Sequence, residues 1–385
     1  RGAGGNRGGL ASKARVRFVW VARMVHGRRA GAARGECEAE GEVKEQKNKP
    51  PRKHHFVQAH HIQQFVDDDG LVHVYSKKGK DFSERPEGIF KKKDLNSFDG
   101  PDGLNTDFEG VVTEIENECW PIFREIIFSR KIEDTHIPYI ASYLSLSRLR
   151  NPTLQAGILA LHKNSVETVT RVMEEHGHFD DMPPNPAWPK KTLSQMLDEN
   201  LIEVRINNSK YLESVITMHD QFTSLIQKGF GWCLVKSDRG RVLISDHPLT
   251  YVHPGQNSGA YGIAPGGRSC EMAFPLTKHY YLLGFFDTQP SNFSSEDAVD
   301  ELNKRQAIFA SRHVASSQKN RNSHSLAANF KNFGFRTVVD TLPDGRGAYQ
   351  IIRSGVYQAP ETPPFKGSHP LTKTKPLRRF LSQKA

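Results

Sequence analysis

Histidine is concentrated in one short stretch of this 385-residue chain, where His54, His55, His60 and His61 lie within eight residues. Imidazole nitrogens bind zinc, iron and copper well, which makes His54 and His55 candidate ligands for a divalent metal. The spacing matches neither an H-E-x-x-H helix nor a Cys/His zinc finger. A mixture of solvent-facing and buried, hydrogen-bonded histidines explains the same stretch, and the lack of a known ligand spacing favours that interpretation.

A second polar group, Ser245-Asp246-His247-Pro248, follows an aliphatic stretch. Loops at strand ends commonly carry functional residues, and an Asp–His pair can orient a general base or bind a metal. Asp246 is therefore a candidate catalytic or metal-binding residue, and His247 a candidate metal ligand. A simple turn is the favoured alternative, because an aspartate accepts nearby amide protons and proline fixes the exit of the chain.

Charged residues of the predicted helices complete the set of candidates. Glu114 and Glu118 lie one helical turn apart and can bind a cation, although a solvated helix face is the more ordinary explanation. Arg150 ends a helix, where a cation interacts favourably with the helix dipole. Its guanidinium is also suited to binding a phosphate.

Two functional hypotheses follow from these candidates. If His55, Arg150 and Asp246 meet in one cleft, with Glu118 nearby, they predict a metal-assisted hydrolase of phosphodiesters. Arg150 would then hold the phosphate, and a histidine or a bound metal would activate water. If the same groups form a structural polar network, the chain is a binding or regulatory module. The sequence favours the module, because no pattern in it fixes the mutual geometry of an active site.

Hydrophobic residues make up 37% of the chain, an ordinary value for a folded body with polar ends. Its longest apolar stretches fall far short of the ~20 residues that a membrane-spanning helix requires. The four cysteines, Cys37, Cys119, Cys233 and Cys270, include no C-x-x-C pair, and nothing in the sequence indicates secretion. We therefore expect a soluble protein in the reducing cytoplasm, without membrane contact.

The net charge of +10 is unevenly distributed along the chain. Residues 1–53 contain 14 Lys and Arg against 5 Asp and Glu, and residues 366–385 add 6 cations and no acid. The part between them is mildly acidic. A nucleic-acid-binding domain usually clusters its cations on a folded face, so we expect at most non-specific nucleic-acid contact through the basic ends. Residues 1–52 are predicted to be a disordered basic arm or upstream sequence translated with the gene.

Helical periodicity dominates the first half of the chain, and strand patterns dominate the second. Apolar residues at three- and four-residue steps predict helices over about 106–127, 135–149, 154–176 and 212–226, the first with a capping box formed by Thr106 and Glu109. Strands are predicted at 71–75, 272–275 and 280–286, near 338 and 351, and in a hairpin of 232–236 with 241–245. This order predicts the α+β class, with a mainly helical first half packed against an antiparallel strand block.

The order of these pieces resembles the family called domain of unknown function 4238, over about residues 53–318. The pieces that carry the resemblance are residues 54–57 (His-His-Phe-Val), Pro121, Arg150 with Pro152, residues 245–248 (Ser-Asp-His-Pro), residues 274–277 (Phe-Pro-Leu-Thr), and an Asn-rich helix closing with Ala310, Arg312 and Val314. Gln58 stands where the family usually has proline, and His247 where it usually has asparagine.

The resemblance implies a shared fold and a shared map of polar positions, but no reaction, because the family has no established activity. Together with the element pattern, it predicts one α+β domain over residues 53–358. A basic disordered tail is expected to follow over residues 359–385.

Overall fold

The computed structural model describes residues 52–180, 190–257, 265–344, 347–360 and 367–381, without the side chains of residues 341–349. Almost all of the predicted N-terminal arm, residues 1–51, lies outside this part of the chain. Within it the predicted α+β class is confirmed, with the helices mostly in the first half and antiparallel-dominated sheets in the second.

The four helices predicted in the sequence analysis form near the predicted positions, over Asp107–Ser129, Ile137–Leu149, Pro152–Glu175 and Ser209–Gly229, because each carries an apolar stripe at helical spacing. The described residues contain eight α-helices. They are, in chain order, α1 (Ala59–Ile62), α2 (Asp107–Ser129), α3 (Ile137–Leu149), α4 (Pro152–Glu175), α5 (Leu193–Asp198), α6 (Ser209–Gly229), α7 (Glu296–Phe309) and α8 (Arg321–Asn329). The side chain of Asn151 caps α4 by accepting the Thr153 amide proton. The helix ends just before Gly177, whose φ of 72° suits glycine.

The start of α2 differs from the predicted capping box. The Thr106 side chain makes no capping hydrogen bond, and the Glu109 carboxylate instead accepts a proton from the side-chain amide of Asn96. That prediction is wrong because a partner distant from the helix terminus engages Glu109, which local sequence cannot reveal.

The strands of the described residues are mostly short, and the sheets are built from fifteen of them. They are β1 (Lys53–His55), β2 (Val72–Ser76), β3 (Phe82–Glu84), β4 (Lys91–Lys93), β5 (Phe98–Gly100), β6 (Gly103–Asn105), β7 (Phe230–Lys236), β8 (Ile244–Ser245), β9 (Thr250–Val252), β10 (Glu271–Thr277), β11 (Tyr280–Phe286), β12 (Phe293–Ser294), β13 (His313–Ser316), β14 (Phe333–Asp344) and β15 (Gly347–Gln358). One sheet has the order β12-β7-β11-β10-β9 and another β3-β2-β13-β8, while β1–β4, β5–β6 and β14–β15 are separate pairs.

The five-stranded sheet lies between two apolar layers. Successive side chains of a strand point to opposite faces, so Leu234 packs in one cluster with Phe123 of α2 and Leu144 of α3. On the other face, Leu283 packs in a second cluster that includes Leu302 of α7. The sheet is therefore covered by α2 and α3 on one side and by α7 on the other.

The predicted hairpin of residues 232–236 with 241–245 does not form. Strand β7 pairs with β11 and β12, whereas β8 pairs with β13 in the other sheet. The reason is a side chain of α7: Asn303 accepts the Leu243 amide proton at 2.9 Å and donates to the Arg241 carbonyl at 2.9 Å. These bonds take the backbone groups that a hairpin ladder would use.

Residues 367–381 pack against the body, whereas the sequence predicts a disordered basic tail. Leu371 and Leu377 are buried, and the ring of His369 hydrogen-bonds to the Val356 carbonyl at 3.0 Å. That prediction rested on the charge of the tail, but the leucines between its cations anchor it.

Strands β14 and β15 form a long hairpin that lies on α4. The approach is close at Gly157, because a Cβ there would clash with Thr337. No helix among the described residues is long and apolar enough to cross a membrane.

Candidate functional site

Asp246 is buried, and the backbone binds both oxygens of its carboxylate. Oδ1 accepts the Ser311 amide proton at 2.7 Å, and Oδ2 accepts those of Arg312 at 2.7 Å and His313 at 3.2 Å. Burial raises the pKa of Asp246, while these hydrogen bonds and the charges of His313 and Lys77 oppose that rise. The carboxylate thus fixes the chain at residues 311–313.

Lys77 binds the same region of the chain through carbonyl groups. Its ammonium donates to the carbonyls of Ala310 at 2.5 Å and Phe333 at 2.7 Å. Burial lowers the pKa of Lys77 to about 7, against the attraction of Asp246. Lys77 and Asp246 are both buried, and together they hold residues 310–313 in place.

His247 lies in an aromatic and cationic environment. Its ring is 5.3 Å from that of Phe335, and the Arg148 guanidinium lies over the Phe335 ring at 4.6 Å. Burial and the charges of Arg148 and Lys77 lower the pKa of His247 well below its ordinary value, so the ring is neutral at pH 7. The hydroxyl of Ser245 accepts the His247 amide proton at 3.2 Å, as a turn requires.

Arg150 forms a buried ion pair with Glu116 rather than with Glu118. Its Nη1 donates to Glu116 Oε1 at 2.7 Å. Burial raises the pKa of Glu116, and the Arg150 charge opposes that rise. Glu118 is exposed on α2. The sequence signal for Glu116 was the helical phase, because this residue lies four positions after the buried Val112 and seven before the buried Phe123.

His55 lies within the electrostatic influence of Arg150. Burial, followed by the charges of Lys91 and Arg150, lowers the pKa of His55, while a hydrogen bond to the Glu87 carbonyl raises it. Its Nε2 is buried and has no hydrogen-bond partner among the described residues. The ring is therefore neutral near pH 7 and keeps one nitrogen uncommitted.

The candidate residues fall into two clusters joined by Asn151. His55 interacts with Arg150 in the first, and Asp246 lies with Lys77 in the second. Asn151, next to Arg150, donates from Nδ2 to the Asp246 backbone carbonyl at 3.1 Å. Asn151 therefore contacts only the backbone carbonyl of Asp246, and the Asp246 carboxylate is bound by the amides of residues 311–313.

The candidate metal ligands do not meet at one point. His54 is buried, and its Nδ1 accepts the Asn96 amide proton at 3.0 Å. Across the described ranges, no group of three or more His, Cys, Asp or Glu side chains is arranged to hold a metal ion. The candidate metal ligands among the described residues are therefore isolated side chains that do not form one metal-binding site.

Sequence reasoning missed a basic pocket beside β1 and β4. In this antiparallel pair Lys53 lies opposite Lys93, and His55 lies opposite Lys91. Directly opposite residues share a face, as do residues two apart in a strand. One face of the pair thus carries four basic side chains. The lysines themselves can be seen in the sequence. Their proximity cannot, because it depends on the pairing of two three-residue strands that lie 36 residues apart.

The pocket, which we call the lysine pocket, has a volume of about 290 Å³. Its lining consists of Lys53, Val74, Phe82, Gly88, Ile89, Phe90, Lys91, Lys93 and His313. None of these described lining residues is acidic, and no ion pair joins the three lysines to a carboxylate within the described part of the chain. The Phe82 ring meets the His313 ring edge-on at a centroid distance of 5.9 Å.

The family resemblance seen in the sequence is confirmed. The family model described as a protein of unknown function, DUF4238, matches residues 53–320, which is most of the chain. The chain belongs to the DUF4238 family. No curated protein matches it significantly, and neither does any solved structure.

The DUF4238 match contains both clusters and the lysine pocket, and it ends before β14. Gln58 and His247, which the sequence analysis singles out as departures from the family pattern, both have side-chain contacts in the structure. Gln58 accepts a hydrogen bond from the buried Tyr143 hydroxyl and also interacts with Glu116. His247 packs beside Phe335, which lies outside the matched range.

Proposed function

We propose that this DUF4238 protein is a binding module for a small anion that carries an aromatic group, such as a nucleotide. The observation that carries the proposal is the charge of the lysine pocket, where Lys53, Lys91 and Lys93 line one cavity without an acidic neighbour in its described lining. Several cations in a partly enclosed site attract ligands of opposite charge and raise their local concentration. Phosphate groups commonly bind to lysine side chains through charge-assisted hydrogen bonds.

The aromatic part of the ligand is inferred from Phe82. This side chain is 43% exposed although it is large and apolar, and it stands at the pocket beside His313. Exposed aromatic rings next to cations stack planar rings of ligands. The cavity of about 290 Å³ lies just below the ~300–1,000 Å³ that is usual for small-molecule sites, which fits a mononucleotide better than a longer chain.

The alternative, a metal-assisted hydrolase of phosphodiesters, stays a prediction without a supporting contact among the described residues. The Asp246 carboxylate is occupied by three amide protons, and Glu118 is exposed while Arg150 pairs with Glu116. The binding module explains the open, cationic cavity directly, whereas the hydrolase would require these side chains to rearrange.

Isothermal titration calorimetry with AMP, adenosine and inorganic phosphate tests the proposal. AMP is expected to bind more tightly than either fragment, because only AMP engages both the lysines and Phe82. Lys91→Ala should weaken AMP binding by about tenfold, a loss of about 1.4 kcal/mol. Phe82→Ala should weaken AMP binding but not phosphate binding.

The matched control is Lys228→Ala, which removes an exposed lysine from the end of α6. This variant should bind AMP like the original chain. Equal weakening by Lys228→Ala and Lys91→Ala, or no binding of any of the three compounds, would count against the proposal. Circular dichroism would confirm that each variant keeps its fold.

A further inference from the structure

The segment from residue 367 to residue 381, here the C-terminal segment, lies beyond the matched range of residues 53–320. It crosses the body in a largely irregular path with two single-turn helices, Pro370–Lys373 and Arg378–Phe380. The surface of the body that contacts this segment is here called the groove. It binds both the backbone and the side chains of the segment, and it consists of Glu271, Phe285, Phe286, Phe293, Glu301, Lys304 and Arg305.

A buried ion pair forms the floor of the groove. Arg305 Nη2 donates to Glu271 Oε2 at 2.7 Å, and both side chains are almost completely buried. The same Nη2 donates to the Lys375 carbonyl at 2.7 Å. Glu271 Oε1 accepts the amide protons of Leu377 at 2.8 Å and Arg378 at 3.3 Å. The segment thus supplies hydrogen bonds that a buried charge requires.

A second carboxylate continues the recognition of the backbone. Glu301 Oε1 accepts the Lys375 amide proton at 2.9 Å, and Lys304 donates to the Lys373 carbonyl. Both the amide and the carbonyl of Lys375 are therefore bound by α7. Such contacts fix an extended peptide irrespective of its side chains.

Two apolar anchors and one cation give the groove its selectivity. Leu377 is completely buried, and the Phe380 ring stacks on Phe293 at 5.7 Å. The Arg378 guanidinium donates to the Phe286 carbonyl at 2.7 Å and lies 5.6 Å from the Phe285 ring centroid. Buried aromatic, aliphatic and arginine anchors commonly dominate the affinity of an interface.

We propose that this groove is a peptide-binding site, which the C-terminal segment occupies as a ligand in cis. Its ligands are peptides in which a leucine is followed directly by an arginine and, three positions after the leucine, by an aromatic residue, as in Leu377, Arg378 and Phe380. The groove and the segment are complementary in their hydrogen-bonding groups, because Glu271 and Glu301 accept amide protons of the segment while Arg305 donates to one of its carbonyls. A peptide of the same chemistry exchanges with the resident segment.

In the intact chain the covalent link raises the effective concentration of the segment, which suppresses exchange. The test therefore uses the full chain with a protease site placed in residues 361–366, so that the segment can be cut after folding. A fluorescent synthetic peptide of residues 367–385 is added, and its uptake is followed by anisotropy. Circular dichroism follows the fold of the body in the same samples.

The labelled peptide is expected to bind the cut protein while the body stays folded, and to bind the uncut protein much more weakly. A Leu377→Asp peptide should bind about thirtyfold more weakly or worse, as is usual for a lost anchor. A Thr372→Ala peptide is the matched control, because Thr372 is exposed and its hydroxyl donates within the segment, to the His369 carbonyl. Its affinity should not change.

Three results would overturn the inference. One is that a folded, cut body takes up no peptide, and another is that the body unfolds as the resident segment leaves. The third is equal binding of the Leu377→Asp and original peptides, which would indicate attraction by charge alone. None of these depends on AMP binding, so the groove and the lysine pocket are tested separately.

Discussion

The ion pair of Arg150 and Glu116 places two charges largely out of water, with side-chain exposures of 3% and 23%. Removing one partner leaves the other charge buried and uncompensated. Arg150→Met is therefore expected to lower the free energy of unfolding by about 3–5 kcal/mol. Adding Glu116→Gln should recover part of this loss, and denaturant titration of both variants measures it.

An exposed pair provides the control for that experiment. Lys210 and Glu213 are each about half exposed and lie 2.9 Å apart on α6. Lys210→Met should change the free energy of unfolding by less than about 1 kcal/mol. An equally small effect of Arg150→Met would mean that the Arg150 pair is hydrated and does not hold the cluster.

His61 gives the stability of the fold a dependence on pH. The residue is fully buried, its Nε2 lies 2.6 Å from the Pro275 carbonyl, and burial lowers the pKa of His61 from 6.5 to about 4. The unfolded state therefore binds more protons between these values, so the stability contributed by neutral His61 is present above pH 6.5 and is lost as the pH falls toward 4. The loss should reach about 3 kcal/mol, at ~1.4 kcal/mol per pKa unit.

Denaturant titrations at pH 7 and pH 4.5 measure this effect. His61→Phe should reduce the difference in unfolding free energy between the two pH values, because the titrating group is gone. His178→Phe is the control, since His178 is exposed, and it should leave the difference unchanged. If His61→Phe also leaves it unchanged, other groups carry the acid sensitivity.

For single residues, the sequence shows which side chains could form a site but not which of them contact each other in the folded chain. His55 and Arg150 could be singled out from the sequence, and after burial and the charge of Lys91 the charge of Arg150 lowers the pKa of His55. Glu118 was expected near them, yet Glu116 is the carboxylate that pairs with Arg150. The roles of Asp246 and Lys77 depend on residues 310–313, which are distant in sequence from both.

Among the elements, helix α2 allows the sharpest test of the core, because two of its phenylalanines have opposite environments. Phe123 is completely buried against α3 and the five-stranded sheet, whereas Phe128 is 92% exposed. Phe123→Ala is expected to lower the free energy of unfolding by about 3–5 kcal/mol. Phe128→Ala should change it by less than about 0.5 kcal/mol.

Denaturant titration of the two α2 variants decides the assignment of the core face. Similar effects of both substitutions would show that the buried face of the helix is not the one described. The periodicity of α2 predicts a core face of Val112, Ile115, Phe123 and Ile126. All of these are buried except Ile115, which is partly buried and packs against the cluster that contains Phe123 and Ile126. Periodicity did not predict which strands pair. The segments of β7 and β8 both have strand patterns, but the Asn303 side chain hydrogen-bonds to the backbone of Arg241 and Leu243, and residues 241–243 do not pair with β7.

For the whole molecule, the sequence predicted the α+β class and the family, because both depend on the order of many short patterns. It failed at the C-terminal segment, where net charge was taken as the sign of disorder. The few apolar anchors there, Leu371 and Leu377, are enough to seat the segment on the body. The lysine pocket was hidden for a related reason, since its cations come from strands that meet only in the folded chain.

The most direct test of the central claim is a crystal structure of the protein soaked with AMP. The account predicts electron density for AMP in the lysine pocket, with a phosphate oxygen about 3 Å from Lys91 Nζ and the base against Phe82. AMP bound elsewhere on the chain, or an AMP phosphate that contacts none of Lys53, Lys91 and Lys93, would contradict it.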